Sequence, residues 1–198
     1  MTEARILLIH GGTKQVERLT QLVENRGFST TVAEIPWETT PESEFNAVIF
    51  AGGLIPAGRH REIKQWSRRF ILNTPLPLLG ICLGHLLLGM AYGATYMTLP
   101  HPEYGSTPVK IDTYPLASRV TDLVVWEDHV HELVHLPPQL RNYASTKTTK
   151  IQAIKHVYKD QFGVQFHPEA EEEREGLTIL EGFFDLAHGR QRKPVMSG

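Results

Sequence analysis

The chain has 198 residues, of which 41% are hydrophobic, and its 20 basic and 22 acidic side chains give a formal net charge of -2 at pH 7. This length and composition predict one domain over residues 1–198, with a core at about 5–188 and a flexible tail at 189–198. The balanced charge argues against a nucleic-acid surface and a polybasic membrane patch. The single cysteine excludes an internal disulfide, and the first residues lack the regions of a signal peptide, so we expect a cytoplasmic protein.

Strand-like and helix-like segments alternate along the first half of the chain. Short apolar runs indicate strands, and apolar residues at helical spacing indicate amphipathic helices. The strands are predicted at 5–10, 28–35, 46–51 and 76–81, and the helices at 14–26, 61–72 and 85–92. This alternation predicts an α/β fold with a doubly wound sheet.

The pattern changes between residues 95 and 157, where short alternating segments indicate antiparallel strands added to the sheet. These strands are predicted at 107–112, 122–126 and 150–157. A further strand is predicted at 161–166, and an amphipathic helix at 172–187 closes the fold. The acidic run Glu171-Glu172-Glu173 suits the start of this helix, because a helix N-terminus favours negative charge.

The only cysteine stands between two glycines at the end of an apolar run, in the segment Gly80-Ile81-Cys82-Leu83-Gly84. The predicted strand before it and helix after it place Cys82 at a sharp turn, where a nucleophile is strained and exposed and the glycines relieve crowding. The amides and dipole at the start of the helix favour the reactive thiolate. Taken alone, the segment is equally compatible with a buried cysteine that acts as a small hydrophobic side chain.

A second motif, Gly163-Val164-Gln165-Phe166-His167-Pro168-Glu169, supplies a candidate base. A thiol nucleophile needs an imidazole to take its proton and return it to the leaving amine, and the imidazole needs a carboxylate to fix its tautomer. His167 and Glu169 can fill these roles. The apolar alternation before His167 indicates a strand that ends at the same sheet edge as Cys82. On its own, the motif could also be a surface turn before an acidic helix.

The two motifs resemble those of the class I glutamine amidotransferases, whose glutaminase domains carry a Gly-x-Cys-x-Gly-His elbow and a distal His-Pro-Glu. The resemblance is strongest to the GMP synthase group and covers residues 5–188. It implies a flavodoxin-like, doubly wound mixed sheet with a nucleophile elbow, and hydrolysis of the side-chain amide of glutamine through a cysteinyl thioester. Cys82 would be the nucleophile, His167 the general base and acid, and Glu169 the orienting carboxylate.

The resemblance also implies an oxyanion hole made of two backbone amides, those of Leu83 and Gly53. The glycine-rich loop it requires is present, because the strand predicted at 46–51 runs into Gly52-Gly53-Leu54. Residues without side chains let backbone amides approach an oxyanion closely, and Gly52 and Leu54 would line the substrate site. The sequence has neither a phosphate-binding Gly-Lys-Ser/Thr loop nor a full dinucleotide fingerprint, so we expect that the chain does not bind ATP by itself. No cofactor and no metal are predicted.

Two apolar positions depart from the family pattern. Leu86 follows the elbow's Gly-His, where these amidotransferases usually have a glutamine that helps to hold the substrate. Leu54 replaces the usual proline after Gly-Gly. The first change removes a polar contact from the predicted substrate site, so recognition of free glutamine is expected to differ.

A third departure lies in the segment Trp126-Glu127-Asp128-His129-Val130-His131. In the GMP synthase group the matching segment is Trp-x-Ser-His-x-Asp and helps to bind the α-carbon groups of glutamine. Here Asp128 stands for the serine and His131 for the aspartate, while His129 is retained. The resemblance therefore implies substrate contacts from Asp128, His129 and His131 with a changed charge pattern. The alternative is that these polar residues form a solvated loop.

The leading hypothesis is an amidotransferase-type amidohydrolase that passes ammonia to a separate synthetase chain, as in GMP synthase, because the glutaminase domain uses up the 198 residues. One rival is a stand-alone hydrolase of a γ-glutamyl or other small amide, which would explain Leu86 and the altered segment around Asp128. Another is a non-catalytic regulatory or binding subunit, which the complete set of Cys82, His167 and Glu169 disfavours.

Overall fold

The structure is a computed structural model that describes residues 4–36, 42–55 and 58–190. Its strands are β1 Arg5–Gly11, β2 Ser29–Glu34, β3 Ala47–Gly53, β4 Leu78–Ile81, β5 Thr95–Ile111, β6 Asp122–His135, β7 Leu140–Ser145, β8 Ala153–His156 and β9 Gln161–Val164. Its α-helices are α1 Val16–Glu24, α2 His60–Asn73, α3 Leu83–Ala91 and α4 Leu177–Arg190. Among these helices, none combines the length and the apolar character needed to cross a membrane.

One mixed sheet contains all nine of these strands, in the order β2-β1-β3-β4-β9-β8-β7-β5-β6. The first five in this order pair in parallel, and the rest pair antiparallel. The parallel half has the flavodoxin-like strand order, so the predicted doubly wound fold is confirmed. Parallel strands end at the same edge, and this brings the chain after β1, β3, β4 and β9 together.

The two faces of the parallel half are covered by different helices. Along β1, Ile6 and Leu8 face one apolar cluster, which also contains residues of α1 and α4. Leu7 and Ile9 face the opposite cluster, which contains residues of α2 and α3. Alternate residues of a strand point to opposite faces, so a strand covered on both sides reads as a continuous apolar run. This is why the sequence identifies these strands.

The antiparallel half differs from the prediction in the length of its strands. The segments predicted at 107–112 and 122–126 are parts of β5 and β6, which run for 17 and 14 residues and pair as one long hairpin. Most β5 side chains are exposed, so no apolar alternation marks its first half. The register also shifts between Thr98 and Glu103. Prolines and an irregular register therefore concealed one continuous strand.

The last helix begins later than predicted. Helix α4 starts at Leu177, and no acidic residue lies in its first turn, so the proposed role of the acidic run 171–173 at a helix N-terminus is wrong. Gly176 lies against Pro168, where a Cβ would come within 2.9 Å of the proline Cα. The segment is thus held against the His-Pro-Glu motif before the helix begins. Of the predicted tail, Gly189 and Arg190 belong to α4, and 191–198 lie outside the described residues.

Candidate active site

Cys82 occupies the turn between β4 and α3, as the sequence predicts. Its φ of 51° and ψ of -101° lie in a region that non-glycine residues rarely adopt. Such a conformation costs about 1–3 kcal/mol and persists only where the surrounding structure enforces it. Here the Cys82 amide donates a 2.9 Å hydrogen bond to the carbonyl of Val164 at the end of β9. The elbow is therefore fixed to the strand that precedes His167.

The two glycines of the elbow are required by close packing. A Cβ on Gly84 would lie 2.0 Å from the carbonyl oxygen of Phe50, and one on Gly80 would lie 2.5 Å from the backbone of Gly84. Contacts this short are prohibitive because the atoms that each Cβ would meet belong to the backbone and cannot move aside as a flexible side chain could. Gly84 thus lets α3 lie directly on β3, with Leu83 in the first turn of the helix. The first amides of a helix have no partner within the helix, so Leu83 can offer its N–H to a ligand.

His167 and Glu169 form a buried pair beside this elbow. His167 Nδ1 lies 2.9 Å from Glu169 Oε1, and the glutamate side chain is fully buried. Burial lowers the pKa of His167, but the charge of Glu169 and hydrogen bonding with Cys82 and Glu169 outweigh it and raise this pKa to about 11. The ring lies within hydrogen-bonding reach of the cysteine sulfur, where it can exchange a proton with the nucleophile.

Strand β6 supplies one wall of the site. The His167 amide donates a 2.9 Å hydrogen bond to the Trp126 carbonyl, which connects β6 to the His-Pro-Glu segment. Two residues later in β6, the carbonyl oxygen of Asp128 lies 3.9 Å from Cys82 Sγ. The side-chain amide of buried Gln165 approaches the same sulfur at 3.9 Å. No role for Gln165 is predicted from the sequence. Its position two residues before His167 in an extended segment would nevertheless have indicated that both side chains point to the same side.

The glycine-rich loop lies at the end of β3, next to the cysteine and histidine. A Cβ on Gly52 would lie 3.2 Å from His167 Cε1 and 3.7 Å from Cys82 Cβ. Gly53 has φ of 133°, and a Cβ there would lie 2.3 Å from the backbone of Gly11. The Leu54 amide donates to the Gly11 carbonyl at 2.9 Å, so this amide is committed to the protein. Among the predicted loop residues, the Gly53 amide therefore remains the candidate oxyanion donor.

A pocket of about 260 Å³ opens over Cys82. Its lining contains most of the predicted substrate-site residues together with residues of α2 and β5 that no sequence motif marks. The lining residues are Gly53, Leu54, Ile55, His60, Lys64, Cys82, Leu83, Leu86, Met90, Tyr96, Asp128, His129, Val130 and His131. Leu86 is 8% exposed and also packs in the apolar cluster beneath α3, so it belongs both to the pocket wall and to the core.

His129 has a different setting from the one expected of a substrate contact. Its Nε2 lies 3.2 Å from carboxylate oxygens of both Glu103 and Glu127, and its Nδ1 lies 3.0 Å from the His131 carbonyl oxygen. Both ring nitrogens thus face protein atoms, and we interpret His129 as support for the pocket wall. Burial lowers the pKa of His129, but the adjacent carboxylates of Glu103 and Glu127 outweigh this and raise the pKa to about 9.

The pKa values of Glu127 and Glu103 are shifted in opposite directions. Burial raises the pKa of Glu127, and the nearby His129 only partly offsets this effect. For Glu103, burial also favours the neutral form, but the neighbouring His129 ring and the hydroxyls of Thr149 and Thr146 outweigh it and lower the pKa. Ligand atoms of Glu103, Glu127 and His129 lie within 4.8 Å of one another, so this group could hold a metal ion. A protonated His129 between two carboxylates accounts for the same short distances.

The structure brings together the predicted Cys82, His167, Glu169, Gly53 and Leu83 at one edge of the sheet. It adds buried polar residues that were not predicted from the sequence, namely Glu103, Glu127 and Gln165, and the pocket residues Lys64 and Tyr96. Their assembly can hold a thiolate beside an imidazolium, with backbone amides nearby to stabilise an oxyanion. This chemistry suits attack on an amide or another carboxylic acid derivative.

Comparison with known proteins agrees with this chemistry. The family described as glutamine amidotransferase class-I matches residues 7–187. A glutamine-hydrolyzing GMP synthase subunit of Saccharolobus solfataricus is 37% identical over 148 residues, or 72% of this chain and 77% of that protein. The corresponding GMP synthase subunit of Ignicoccus hospitalis is 28% identical over 184 residues, or 92% of this chain and 97% of that protein.

Solved structures show the same fold. A protein described as a GMP synthase subunit from Thermoplasma acidophilum superposes with a TM-score of 0.86 at 23% identity, covering 96% of this chain and 97% of that chain. A glutamine amidotransferase from Thermotoga maritima gives a TM-score of 0.73 at 21% identity, covering 98% of this chain and 88% of that chain. With the family match over residues 7–187, these findings show that the chain belongs to the class I glutamine amidotransferases.

Proposed function

We propose that this chain hydrolyses the side-chain amide of glutamine through a thioester on Cys82 and supplies the ammonia to a separate synthetase subunit. The observation that carries the proposal is the placement of Cys82 at a strained elbow beside His167, whose Nδ1 is paired with buried Glu169. Relatives named as glutamine-hydrolyzing GMP synthase subunits support a synthetase of the GMP synthase type as the partner.

The proposed reaction begins with attack of the Cys82 thiolate on the amide carbon, which forms a C–S bond and places negative charge on the carbonyl oxygen. The amides of Leu83 and Gly53 are the proposed donors to this oxygen. His167 then gives its proton to the leaving nitrogen, the C–N bond breaks, and ammonia departs. His167, now neutral, takes a proton from water, which attacks the thioester and releases glutamate and Cys82. Glu169 holds the ring orientation through Nδ1.

Exposed apolar residues around the pocket mouth support a partner protein. Leu54 is 79% exposed, and Tyr96 and Val130 are each 40% exposed. All three line the pocket that opens over Cys82. Exposed apolar side chains that gather around a functional opening are common at protein interfaces. A synthetase seated here would cover the pocket and receive the ammonia without loss to solvent.

The nucleophile is tested by chemical labelling. A diazoketone analogue of glutamine should modify the native protein once, and Cys82→Ala should abolish both labelling and hydrolysis. An unchanged hydrolysis rate in Cys82→Ala would rule out the mechanism. The native protein carries one cysteine, so mass spectrometry assigns the label directly.

The partner is tested by adding the cognate synthetase and its nucleotide substrate to the chain. Hydrolysis of glutamine should be weak in the isolated chain and should rise on addition, because contact with the partner would order the loop around Gly53. Robust hydrolysis that no synthetase from the same cell stimulates would instead support a stand-alone amide hydrolase. The altered residues Leu86 and Asp128 favour that second candidate.

A further inference from the structure

We infer that Lys64 of α2 binds the α-carboxylate of the substrate, while Asp128 of β6 binds its α-ammonium group. The inference rests on the proposed function and names the part of the pocket that recognises a free amino acid. It assigns a specificity-determining role to Lys64, for which the sequence shows no motif. The substrate would then be an amide, such as glutamine, that carries a free α-ammonium and a free α-carboxylate group.

The charges that line the pocket support this division. Among the described lining residues, Lys64 is the only lysine or arginine, and Asp128 is the only acidic residue. They come from different elements, α2 and β6, and both line the pocket that contains Cys82. The remaining lining is largely apolar, including Leu86 and Met90. An ion pair formed in such surroundings is stronger than one formed in water.

The Lys64 ammonium lies against an aromatic ring. Its Nζ lies 4.9 Å from the centroid of the Tyr96 ring and 3.4 Å from the Tyr96 hydroxyl. Tyr96 in turn packs edge-on against His131, with the ring centroids 5.7 Å apart. Within the described residues, Lys64 forms no ion pair with a carboxylate. A cation held by a neutral ring retains donors for an anionic ligand.

This pairing compensates for a contact that the pocket lacks. The family's usual glutamine after the elbow is Leu86 here, and this side chain offers no hydrogen bond to the substrate. The ring nitrogens of His129 are directed to Glu103, Glu127 and the His131 carbonyl. Lys64 and Asp128 therefore provide the opposite charges that a zwitterionic α-carbon group requires.

Three amides separate the two charges experimentally. Glutamine carries both α-groups, glutaric acid monoamide lacks the ammonium group, and 4-aminobutanamide lacks the carboxylate. Lys64→Met should reduce kcat/KM by about tenfold to a hundredfold for glutamine and for the monoamide, because one hydrogen-bonded charge pair is lost. The kcat/KM for 4-aminobutanamide should be unchanged, because this compound has no carboxylate. Asp128→Asn should show the reverse pattern, with a loss for glutamine and 4-aminobutanamide only.

Two further variants serve as controls. Lys64→Arg keeps the positive charge and should restore most of the loss, whereas Arg68→Met removes an exposed charge from the same helix outside the pocket and should have no effect. For an amide that is hydrolysed too slowly to measure kcat/KM, the Kd can be obtained from the concentration at which it protects Cys82 from alkylation by iodoacetamide.

The outcomes distinguish the role of Lys64 from the proposed hydrolysis. Equal losses for all three compounds in Lys64→Met, or full activity of this variant on glutamine, would overturn the assignment of Lys64 while leaving the proposed hydrolysis intact. Failure of the native protein, with its synthetase present, to hydrolyse or bind glutamine would overturn the proposed function and the assignment together.

Discussion

His129 Nε2 lies 3.2 Å from Glu127 Oε2, and both side chains are almost fully enclosed by the protein. Asp128 stands between them in β6, and its carbonyl oxygen faces Cys82 Sγ at 3.9 Å. The buried pair therefore fixes the strand segment that forms one wall of the candidate active site. Removing Glu127 leaves His129 paired with Glu103, whereas removing His129 leaves both buried carboxylates without their counter-charge, so single substitutions test the two contacts separately.

We predict that Glu127→Gln lowers the pKa of His129 below its value of about 9, because the substitution removes one of two carboxylates that stabilise the imidazolium. The pKa is measured by NMR titration of the histidine rings in the presence of EDTA, with the signal assigned through His129→Gln. Glu132→Gln is the matched control, because this buried glutamate lies on the same strand but accepts a hydrogen bond from the backbone amide of Lys150. An unchanged titration in Glu127→Gln would contradict the pairing.

The same histidine should make stability depend on pH. The pKa of His129 is about 9 in the folded chain, above its ordinary value of 6.5, so its contribution is complete below pH 6.5 and is lost as the pH rises through 9. A shift of this size corresponds to about 3 kcal/mol. The difference in unfolding free energy between native protein and His129→Gln, measured in urea, should therefore shrink between pH 6 and pH 10. A difference that stays constant would show that His129 does not titrate in this range.

The sequence predicts the parallel half of the fold well and the antiparallel half poorly, for a physical reason. Strands β3 and β4 are buried on both faces, so each is a continuous apolar run. Strand β5 is exposed along most of its length and contains prolines, so its first half has no apolar signature. Its course is set by pairing with β6, which depends on residues far away in the chain.

The same limit applies to the site. Cys82, His167 and Glu169 lie in short motifs whose spacing has a chemical meaning, so they can be identified without a structure. The buried Glu127 lies on the inward face of β6, and the alternation that begins at Leu123 and Val125 would have indicated this if it had been continued. Lys64 has no such signal, because the sequence pattern places it on the polar side of α2. It reaches the pocket only through the packing of α2 on α3.

We predict that Glu169→Gln lowers activity less than His167→Ala, because an orienting group contributes less than the base that it orients. The neutral amide keeps the shape of the side chain but removes the charge that helps to raise the pKa of His167 to about 11. The pKa of His167 should therefore fall, and labelling of Cys82 by iodoacetamide at pH 7 should become slower. Equal losses of kcat in the two variants would indicate that Glu169 does more than orient the ring.

Gly84→Ala should disrupt the elbow. The added Cβ would lie 2.0 Å from the Phe50 carbonyl oxygen, and α3 cannot move away from β3 without displacing Cys82, which directly precedes it. We expect destabilisation of about 1–3 kcal/mol or more, with a loss of Cys82 labelling in the protein that remains folded. Gly189→Ala is the control, because a Cβ there meets nothing within 4 Å and alanine favours a helix. Its thermal midpoint should be equal to or above that of the native protein, and a similar fall in both variants would contradict the close packing of Gly84 on β3.

Leu86→Gln should increase kcat/KM for glutamine. Leu86 lines the pocket over Cys82, and a glutamine side chain there could hydrogen-bond a polar group of the substrate that leucine leaves without a partner. An unmade buried polar contact costs about 1–3 kcal/mol, so a gain of about tenfold is expected. The substitution should also reduce stability, because Leu86 packs in the apolar cluster beneath α3.

Leu86→Met keeps the site apolar and should bring no gain, which separates the polar contact from a change of shape. Glutamine and γ-glutamyl amides are compared on all three proteins, after their folding has been checked by circular dichroism. If glutamine is already the best substrate of the native chain and a folded Leu86→Gln protein shows no improvement, then Leu86 serves only to pack α3 against the sheet. In that case, the recognition of glutamine depends on the charges of the pocket wall and not on this position.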